Sequence, residues 1–172
     1  ATDFGDLTDN ISTSPAGAGD TTYALVAGGR RDGSSNANGW SQTIDRITIQ
    51  STGNATDFGD MSGSGEAKNH CSCASPTRAV FFGGDKGNNS TNIIGYVTIA
   101  STGNENDFGD LLGNTQAASA FASSTRGVCG GGFSGFSGLQ NVIQYITIGS
   151  TGNATDFGDL TTTRKFQSAA SS

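Results

Sequence analysis

The sequence predicts an all-β protein built as a tandem array of four-stranded antiparallel sheets. The first observation is a repeat: the phrase Asp-Phe-Gly-Asp begins at Asp3, Asp57, Asp107 and Asp156, so the unit is about 50 residues long. The second is composition, because the 172 residues include 27 Gly and only 2 Pro, and strong helix formers are sparse. The third is the apolar pattern, in which short runs stop at glycines and a helical period is almost absent.

Each unit contains an apolar run that ends in a pair of glycines, and this run predicts a buried strand. The runs are Tyr23–Gly29, Arg78–Gly84 and Arg126–Gly132. The paired glycines are Gly28 and Gly29, Gly83 and Gly84, and Gly131 and Gly132.

Three further strands complete the predicted sheet. Small residues before the glycine-pair strand, as in Lys68–Ser75 and Gln116–Ser123, predict a strand where neighbouring sheets converge. The run Ile93–Ile99 alternates β-branched and polar residues, which predicts a strand with one buried face. The Asp-Phe-Gly-Asp phrase is expected to be the outermost strand, with its aromatic residue buried at equivalent places. The rings expected to be buried are those of Phe58, Phe108 and Phe157, and Phe4 belongs to the same repeat motif.

Segments rich in Gly, Asn and Ser follow the glycine pairs and are predicted to be loops: Arg30–Ser41, Asp85–Asn92 and Phe133–Gln140. They carry Trp40, Phe133 and Phe136. An exposed aromatic ring in a polar loop can stack on the apolar face of a sugar, so these three residues are the candidates for ligand contact. The alternative is that each ring packs over its own sheet.

The order of these elements resembles the kelch repeat, with the glycine pairs as its diglycine and Tyr96 and Tyr145 in its tyrosine position. Two departures make the chain kelch-like: phenylalanine replaces the usual tryptophan, and Arg46 takes the tyrosine position of the first unit. The resemblance implies β-propeller blades. The wording of the repeat, Ser-Thr-Gly-Asn-Ala-Thr-Asp-Phe-Gly-Asp, also resembles virion structural and tail-fibre-type proteins of marine bacteriophages. That second resemblance implies a non-enzymatic particle component, extracellular or in the virion.

The repeat boundaries predict blades at residues 7–60, 61–110 and 111–159. Residues 1–6 are expected to be the last strand of a preceding blade, and residues 160–172 the first strand of a following blade. Because closed propellers use about four to eight blades, we expect a partial ring or one completed by several copies. The expected partners are further copies of the chain, flanking repeats and other virion proteins.

Charge and hydropathy narrow the range of other partners. The net charge is −6 with only 9 Lys and Arg, which argues against binding to a nucleic-acid backbone. No apolar segment of the sequence is long enough to span a bilayer, so membrane insertion is not expected. Abundant Ser, Thr, Asn and Gly leave a surface that can hydrogen-bond to host-surface glycans.

The cysteines and the one histidine offer a possible metal site that the sequence does not favour. Cys71 and Cys73 are two residues apart on a predicted strand, so both side chains point to the same face, a geometry unsuited to a disulfide. His70 beside them suggests zinc or copper, but a fourth ligand is not evident. The aligned residues of other units are small or apolar, so these side chains, with Cys129, are expected in the interior and without metal.

The paired carboxylates of the repeat could act as acid and base or as calcium ligands: Asp57 and Asp60, Asp107 and Asp110, Asp156 and Asp159. Catalysis needs one asymmetric arrangement, whereas these pairs recur in every unit. Calcium would need six or more oxygens, to which Asn54 or Asn104 could contribute, and this alternative stays open.

The sequence therefore favours a structural and adhesive repeat protein with no catalytic residues and no cofactor, whose loops contact glycans or proteins. The alternative is an enzyme on a propeller scaffold that acts on glycans, of a sialidase-like or copper-oxidase-like type. An enzyme should have one unit that departs from the repeat with clustered carboxylate, His or Tyr side chains, and none of these units does.

Overall fold

A computed structural model describes residues 2–31, 39–62, 67–86 and 89–169. Each repeat forms a four-stranded antiparallel meander, in which strands that follow one another in sequence lie side by side. The first unit consists of β2 (Ala16–Gly19), β3 (Tyr23–Ala27), β5 (Thr43–Thr48) and β6 (Thr56–Asp60). The predicted all-β class and the predicted strand order are therefore confirmed for this unit.

The other two units repeat this arrangement. The second consists of β8 (Cys71–Ala74), β9 (Arg78–Phe82), β11 (Asn89–Thr98) and β12 (Asn106–Thr115). The third consists of β13 (Ser119–Ala122), β14 (Arg126–Gly130), β17 (Val142–Thr147) and β18 (Thr155–Asp159). In each unit the small-residue segment is the first strand and the Asp-Phe-Gly-Asp phrase lies in the last, as the sequence predicts.

Short strands occupy parts of the segments predicted to be loops. β1 (Ile11–Thr13) pairs with β4 (Arg30–Arg31), and β15 (Phe133–Ser134) pairs with β16 (Gly138–Leu139). β7 (Ala67–Lys68) and β10 (Asp85–Lys86) extend the second sheet beyond β11. The loop prediction was wrong for residues 89–92, which already belong to β11, because they pair with β10 and β12. Residues 32–38 of the first predicted loop lie outside the described residues.

The three first strands, β2, β8 and β13, lie next to one another, so the units converge at this side. Their side chains are mostly small, and this lets the backbones approach. The Ser72 hydroxyl donates a hydrogen bond to the Gly17 carbonyl of the preceding unit at 2.7 Å. The described residues contain no helix that could cross a membrane.

A side-chain oxygen fixes the turn between the first and second strands of every unit. Asp20 accepts hydrogen bonds from the N–H groups of Thr22 and Tyr23, both at 2.7 Å. In the second unit Ser75 accepts from the N–H group of Arg78, and in the third unit Ser123 accepts from that of Arg126. These are local turns in which Asp or Ser replaces a backbone acceptor.

The glycine pair after the second strand allows the chain that follows the Asp-Phe-Gly-Asp phrase to approach closely. Gly83 and Gly84 have φ of 57° and 109°, and a methyl group at Gly83 would lie 2.2 Å from the carbonyl oxygen of Thr115. The N–H group of Gly84 donates to the same Thr115 oxygen at 2.8 Å. In the third unit the N–H group of Gly132 donates to the carbonyl oxygen of Arg164 at 2.7 Å.

The hydrophobic core lies between the units rather than inside any one sheet. One cluster joins residues of the first unit, including Phe58, Leu25 and Ile44, to residues of the second unit: Ala79, Phe81, Val97 and Ile99. The other joins Phe108 and Leu111 to residues of the third unit: Cys129, Ile146, Ile148 and Ala154. Each unit is thus stabilised mainly by its neighbours, as in other repeat proteins.

The prediction that Phe58, Phe108 and Phe157 are all buried was wrong for Phe157. Phe58 and Phe108 are 2% and 3% exposed, whereas Phe157 is 56% exposed and Phe4 is 42% exposed. The reason is the position of the core. Phe58 and Phe108 are buried by the unit that follows each of them, and no described residues form a unit after Phe157.

A stack of three side chains crosses the outer part of each sheet. In the second unit Arg78 lies 4.5 Å from the ring centroid of Tyr96, which makes an edge contact with Phe108. The third unit has the same stack, formed by Arg126, Tyr145 and Phe157. The first unit exchanges two of the residues: Tyr23 takes the arginine position and Arg46 the tyrosine position, and they lie 5.0 Å apart. The departure from the repeat at Arg46 is therefore compensated by Tyr23.

Substitution of Phe108 by alanine is expected to lower the free energy of unfolding by about 3–5 kcal/mol, because the ring fills the core between two units. The matched change Phe157→Ala is expected to cost less than about 1 kcal/mol, since that ring is largely exposed. Urea denaturation followed by circular dichroism measures both changes. Equal losses for the two variants would contradict the placement of the core between the units.

Substitution of Tyr23 by arginine is expected to destabilise the protein, because two guanidinium groups then face each other. The double variant Tyr23→Arg with Arg46→Tyr rebuilds the stack of the second unit and is expected to recover most of the loss. A double-mutant cycle should give a coupling free energy of about 1 kcal/mol. Additive effects of the two changes would show that the exchange is not compensatory.

Candidate functional site

The Asp-Phe-Gly-Asp phrase joins each unit to the next one. The N–H groups of Gly103 and Glu105 donate to the carbonyl oxygens of Phe58 and Asp60, both at 2.8 Å. In return the N–H group of Asp60 donates to the side-chain oxygen of Asn104 at 3.0 Å. We call this set of three hydrogen bonds the seam. The second and third units form the same seam through Phe108, Asp110, Gly152, Asn153 and Ala154.

The glycine of the phrase is required by the close approach of two backbones at the seam. A methyl group at Gly59 would lie 2.4 Å from the carbonyl oxygen of Gly103, and one at Gly109 would lie 2.5 Å from that of Gly152. Their φ values are 151° and 145°, a region that residues with a Cβ seldom adopt. Any larger residue would separate the units and break the hydrogen bonds.

A third seam is formed by the start of the chain. The N–H groups of Gly53 and Ala55 donate to the carbonyl oxygens of Phe4 and Asp6, both at 2.8 Å. The N–H group of Asp6 donates to the side-chain oxygen of Asn54. We call residues 2–6 the strap. The segments 1–6 and 160–172 were predicted to be strands of further blades, and their described residues contain no strand. The strap nevertheless keeps the three hydrogen bonds of the seam.

The seam gives the repeated asparagines a structural role. The side-chain oxygens of Asn54, Asn104 and Asn153 each accept a backbone hydrogen bond across a seam. The described residues contain no group of three or more His, Cys, Asp or Glu side chains that could hold a metal. The calcium alternative therefore receives no support from the described part of the chain.

A buried side-chain oxygen lies behind each seam, but different residues supply it. In the first unit Asp45 accepts a hydrogen bond from the N–H group of Thr8, and in the third unit Gln144 accepts one from that of Leu112. The second unit has Gly95 at this position. The carboxylate of Glu105, which is 4% exposed, occupies the space that a side chain at Gly95 would take. The first and third units have the longer residues Asp45 and Gln144 in place of Gly95. At the position of Glu105 they have the short residues Ala55 and Ala154.

Of the three predicted contact residues, Trp40 and Phe133 have a cation next to the ring. Lys68 lies 4.3 Å and Arg30 lies 5.8 Å from the Trp40 ring. Lys165 lies 4.7 Å from the Phe133 ring. Both aromatic residues are partly buried. At these two positions a cation of the same chain already lies against the ring.

Phe136 is different, because its side chain is 82% exposed. It lies in the turn between β15 and β16, and the Ser134 hydroxyl accepts a hydrogen bond from its N–H group at 3.2 Å. The N–H group of the preceding residue, Gly135, donates a hydrogen bond to the Ser90 hydroxyl of the second unit at 3.0 Å. A hydrogen-bonded turn thus presents an aromatic ring to solvent.

One pair of the repeated carboxylates borders an open groove of about 320 Å³. Asp156 and Asp159 line it together with Gln140, Gln144 and Thr115. The Asp156 carboxylate accepts a hydrogen bond from the N–H group of Gly158, so it fixes its own turn. Both aspartates are exposed.

The three cysteines are buried, as predicted, and Cys71 and Cys73 both face the third unit. The Cys71 and Cys129 sulfur atoms are 3.6 Å apart. The contact with Cys129, together with burial, raises the pKa of Cys71 well above its usual value, and burial raises the pKa of Cys73 to about 12. Protonated thiols are poor nucleophiles and poor metal ligands at neutral pH.

His70 directly precedes β8, where it is 7% exposed and packs edge-on against Phe81. Burial lowers its pKa to about 4, although the Ala27 carbonyl partly opposes this change. Neither ring nitrogen has a hydrogen bond of normal geometry, so the Ala27 contact is weak. Together with Gln167, His70 lines a cavity of about 250 Å³ where the first strands converge.

Sequence reasoning did not identify the seam, although its signal was present. Every Ser-Thr-Gly-Asn segment was assigned to a turn, and the phrase that follows it was assigned to a strand. That these two elements of neighbouring units bind each other could have been inferred from their joint repetition.

Comparison with known proteins gives no relative: no protein-family model matches the chain, and no curated protein sequence matches it.

Stability is expected to fall between pH 6.5 and pH 4 because of His70. Its pKa is lower in the folded protein than in the unfolded chain, so the unfolded state binds the proton first, and acid favours unfolding by about 1.4 kcal/mol per pH unit. The control is His70→Ala, which copies Ala118 of the third unit. Urea denaturation at several pH values should show a shallower dependence for the variant. Identical slopes would mean that His70 titrates normally.

Proposed function

We propose that the chain is a structural and adhesive repeat array that acts through assembly and loop contacts, without catalysis of its own. The observation that carries this proposal is that the repeated residues form contacts within and between the units of the array. The phrase and its asparagine partner form the seam, and the arginine and aromatic residues form the stack in each sheet. Residues that recur in this way serve a repeated shape rather than one asymmetric reaction site.

We further propose that the units are blades of a kelch-like propeller, in a partial ring or in a ring completed by several copies. Four non-glycine residues support this arrangement because they share a left-handed conformation, with φ between 55° and 60°: Ser14, Asn69, Ala117 and Phe166. All four line the cavity beside His70. Successive blades around a common axis would place equivalent residues together in this way.

The turn that carries Phe136 is the proposed contact surface for a glycan or a protein. Its ring is exposed, and the backbone on both sides is held by Ser134 and Ser90. A fixed aromatic ring loses little conformational entropy on binding, and neighbouring serine and glutamine side chains can hydrogen-bond to sugar hydroxyls. Trp40 and Phe133 play a smaller part in this proposal, because cations already lie against their rings.

The resemblance to bacteriophage virion repeats suggests where such an array would act. On that basis the proposed location is extracellular or in the virion. The proposed partners are then flanking repeats, other virion proteins and host-surface glycans.

A second candidate is a glycan-cleaving enzyme, favoured by the groove that Asp156 and Asp159 border. Against it, the same two residues repeat as Asp57 and Asp60 and as Asp107 and Asp110. Asp156 also holds its own turn. We place this candidate below the adhesive function for these reasons.

Binding to immobilised bacterial surface polysaccharides is expected to depend on Phe136. The change Phe136→Ala should weaken binding about tenfold or more, which corresponds to the loss of one stacking contact. The matched control is Phe121→Ala, because Phe121 is also exposed, at 43%, but lies on β13. Surface plasmon resonance measures both. Equal effects of the two changes would contradict the role of the Phe136 turn.

The same polysaccharides distinguish the two candidate functions. Release of reducing sugar by the wild-type chain, abolished in Asp156→Asn with Asp159→Asn, would establish the enzyme instead.

A further inference from the structure

The edge of the third unit exposes a complete set of seam residues. The strand β18 carries Asp156–Asp159, which we call the tail edge. A methyl group at Gly158 would contact nothing within 4 Å, whereas one at Gly59 or Gly109 would collide with the following unit. Phe157 is 56% exposed. In the described residues, no Gly-Asn turn lies on this edge.

The first unit exposes the complementary face. Its Ile47 and Ile49 correspond to Val97 and Ile99 of the second unit, which bury the ring of Phe58. Ile49 is 43% exposed, whereas Ile99 is fully buried. The turn at Gly53–Ala55, which we call the head turn, has the same donors and the same asparagine oxygen as the other two seams.

The strap covers the head turn with the same sequence as the tail edge. Residues 1–8 and residues 154–161 both read Ala-Thr-Asp-Phe-Gly-Asp-Leu-Thr. A methyl group at Gly5 would lie 2.3 Å from the Gly53 oxygen, which matches the spacing in the other two seams. The tail edge can therefore make every hydrogen bond that the strap makes. In addition, it belongs to the four-stranded sheet of the third unit, which can pack on the first unit.

Release of the strap requires little rearrangement. Phe4 is 42% exposed, so the strap buries its ring less completely than a following unit buries Phe58 or Phe108. Residues further along the chain are held separately, because Thr8 is bonded to Asp45, and Asp9 forms an ion pair with Arg31 at 2.8 Å. The strap can leave the head turn while these contacts stay in place.

We infer that the tail edge of one copy of this chain docks on the head turn of a second copy, in place of the strap, and so joins copies head to tail. The docked Phe157 then packs on Ile47 and Ile49 as Phe58 packs on Val97 and Ile99. The interface is heterologous, so it gives a ring if the rotation closes and a filament if it does not. This inference rests on the proposed assembly function and specifies its partner and its contact residues.

Two variants that each block one side provide the test. Phe157→Ser removes the ring from the tail edge, and Ile49→Asp places a charge on the face of the first unit. Both side chains are exposed, so both variants are expected to fold, which circular dichroism verifies. In sedimentation velocity the wild-type chain should self-associate with rising concentration, and each variant alone should stay monomeric. Mixed together they should form a one-to-one complex, because each supplies the side that the other lacks.

Gly5→Ala tests the competition with the strap in the full-length chain. Its methyl group collides with the Gly53 oxygen, so the strap is displaced and the head turn becomes free. If the strap occupies the head turn nine-tenths of the time, self-association should tighten by about tenfold. Leu139→Ser, a change at an exposed side chain on β16, serves as the control and should leave association unchanged.

Several results would overturn the inference. These are a wild-type chain and a Gly5→Ala variant that both remain monomeric, association that survives Phe157→Ser, or a mixture of the two blocked variants that forms no complex. The proposed adhesive function is tested separately, by polysaccharide binding to the monomeric Phe157→Ser variant. If this monomeric variant does not bind polysaccharide, the adhesive function fails while the docking stands. If the wild-type chain binds polysaccharide but never self-associates, the docking fails while the adhesive function stands.

Discussion

The structure depends on the close approach of two backbones at the seam. Gly59 and Gly109 allow a carbonyl oxygen of the next unit to lie where a Cβ would otherwise be. Once that contact forms, Phe58 and Phe108 are placed against the next unit, and the hydrophobic core is built there. Because no single sheet encloses a core of its own, the stability of each unit depends on contact with its neighbours.

The units differ mainly where a second change compensates for the first. Tyr23 and Arg46 exchange the two ends of the cation–aromatic contact, and Gly95 makes room for the carboxylate of Glu105. In the first case the cation–aromatic contact is kept, and in the second a buried side-chain oxygen is kept at the same place, although the residues that provide them differ. A comparison of units one position at a time therefore finds irregularity, whereas a comparison of contacts finds the same structure three times. Coupling of this kind is expected for residues in direct contact.

The periodic repeat was sufficient to predict the class and the order of strands, because these depend on the pattern within one unit. The exposure of Phe157 could not be predicted in the same way, since burial is decided by what lies beyond the unit. The loop aromatics show a similar limit. Trp40, Phe133 and Phe136 look alike in sequence, but only contacts with distant residues such as Lys68 and Lys165 distinguish the two partly buried rings from the exposed one.

The two edges of the array are not equivalent, and this asymmetry follows from the seam itself. An exposed strand edge invites pairing with another chain, and proteins commonly cover such edges. Here the strap covers the head turn. Its sequence lies within an eight-residue identity between residues 1–8 and 154–161, and the described residues leave Phe157 and Gly158 open. Because the strap has the same sequence as the last strand of a unit, it lowers the rate of unwanted pairing at the head turn. It does not remove the head turn as a binding surface. In the docking that we infer, the tail edge of a second copy outcompetes the strap, because the strap is shorter than a sheet and leaves Phe4 partly exposed. The array would then grow in one direction.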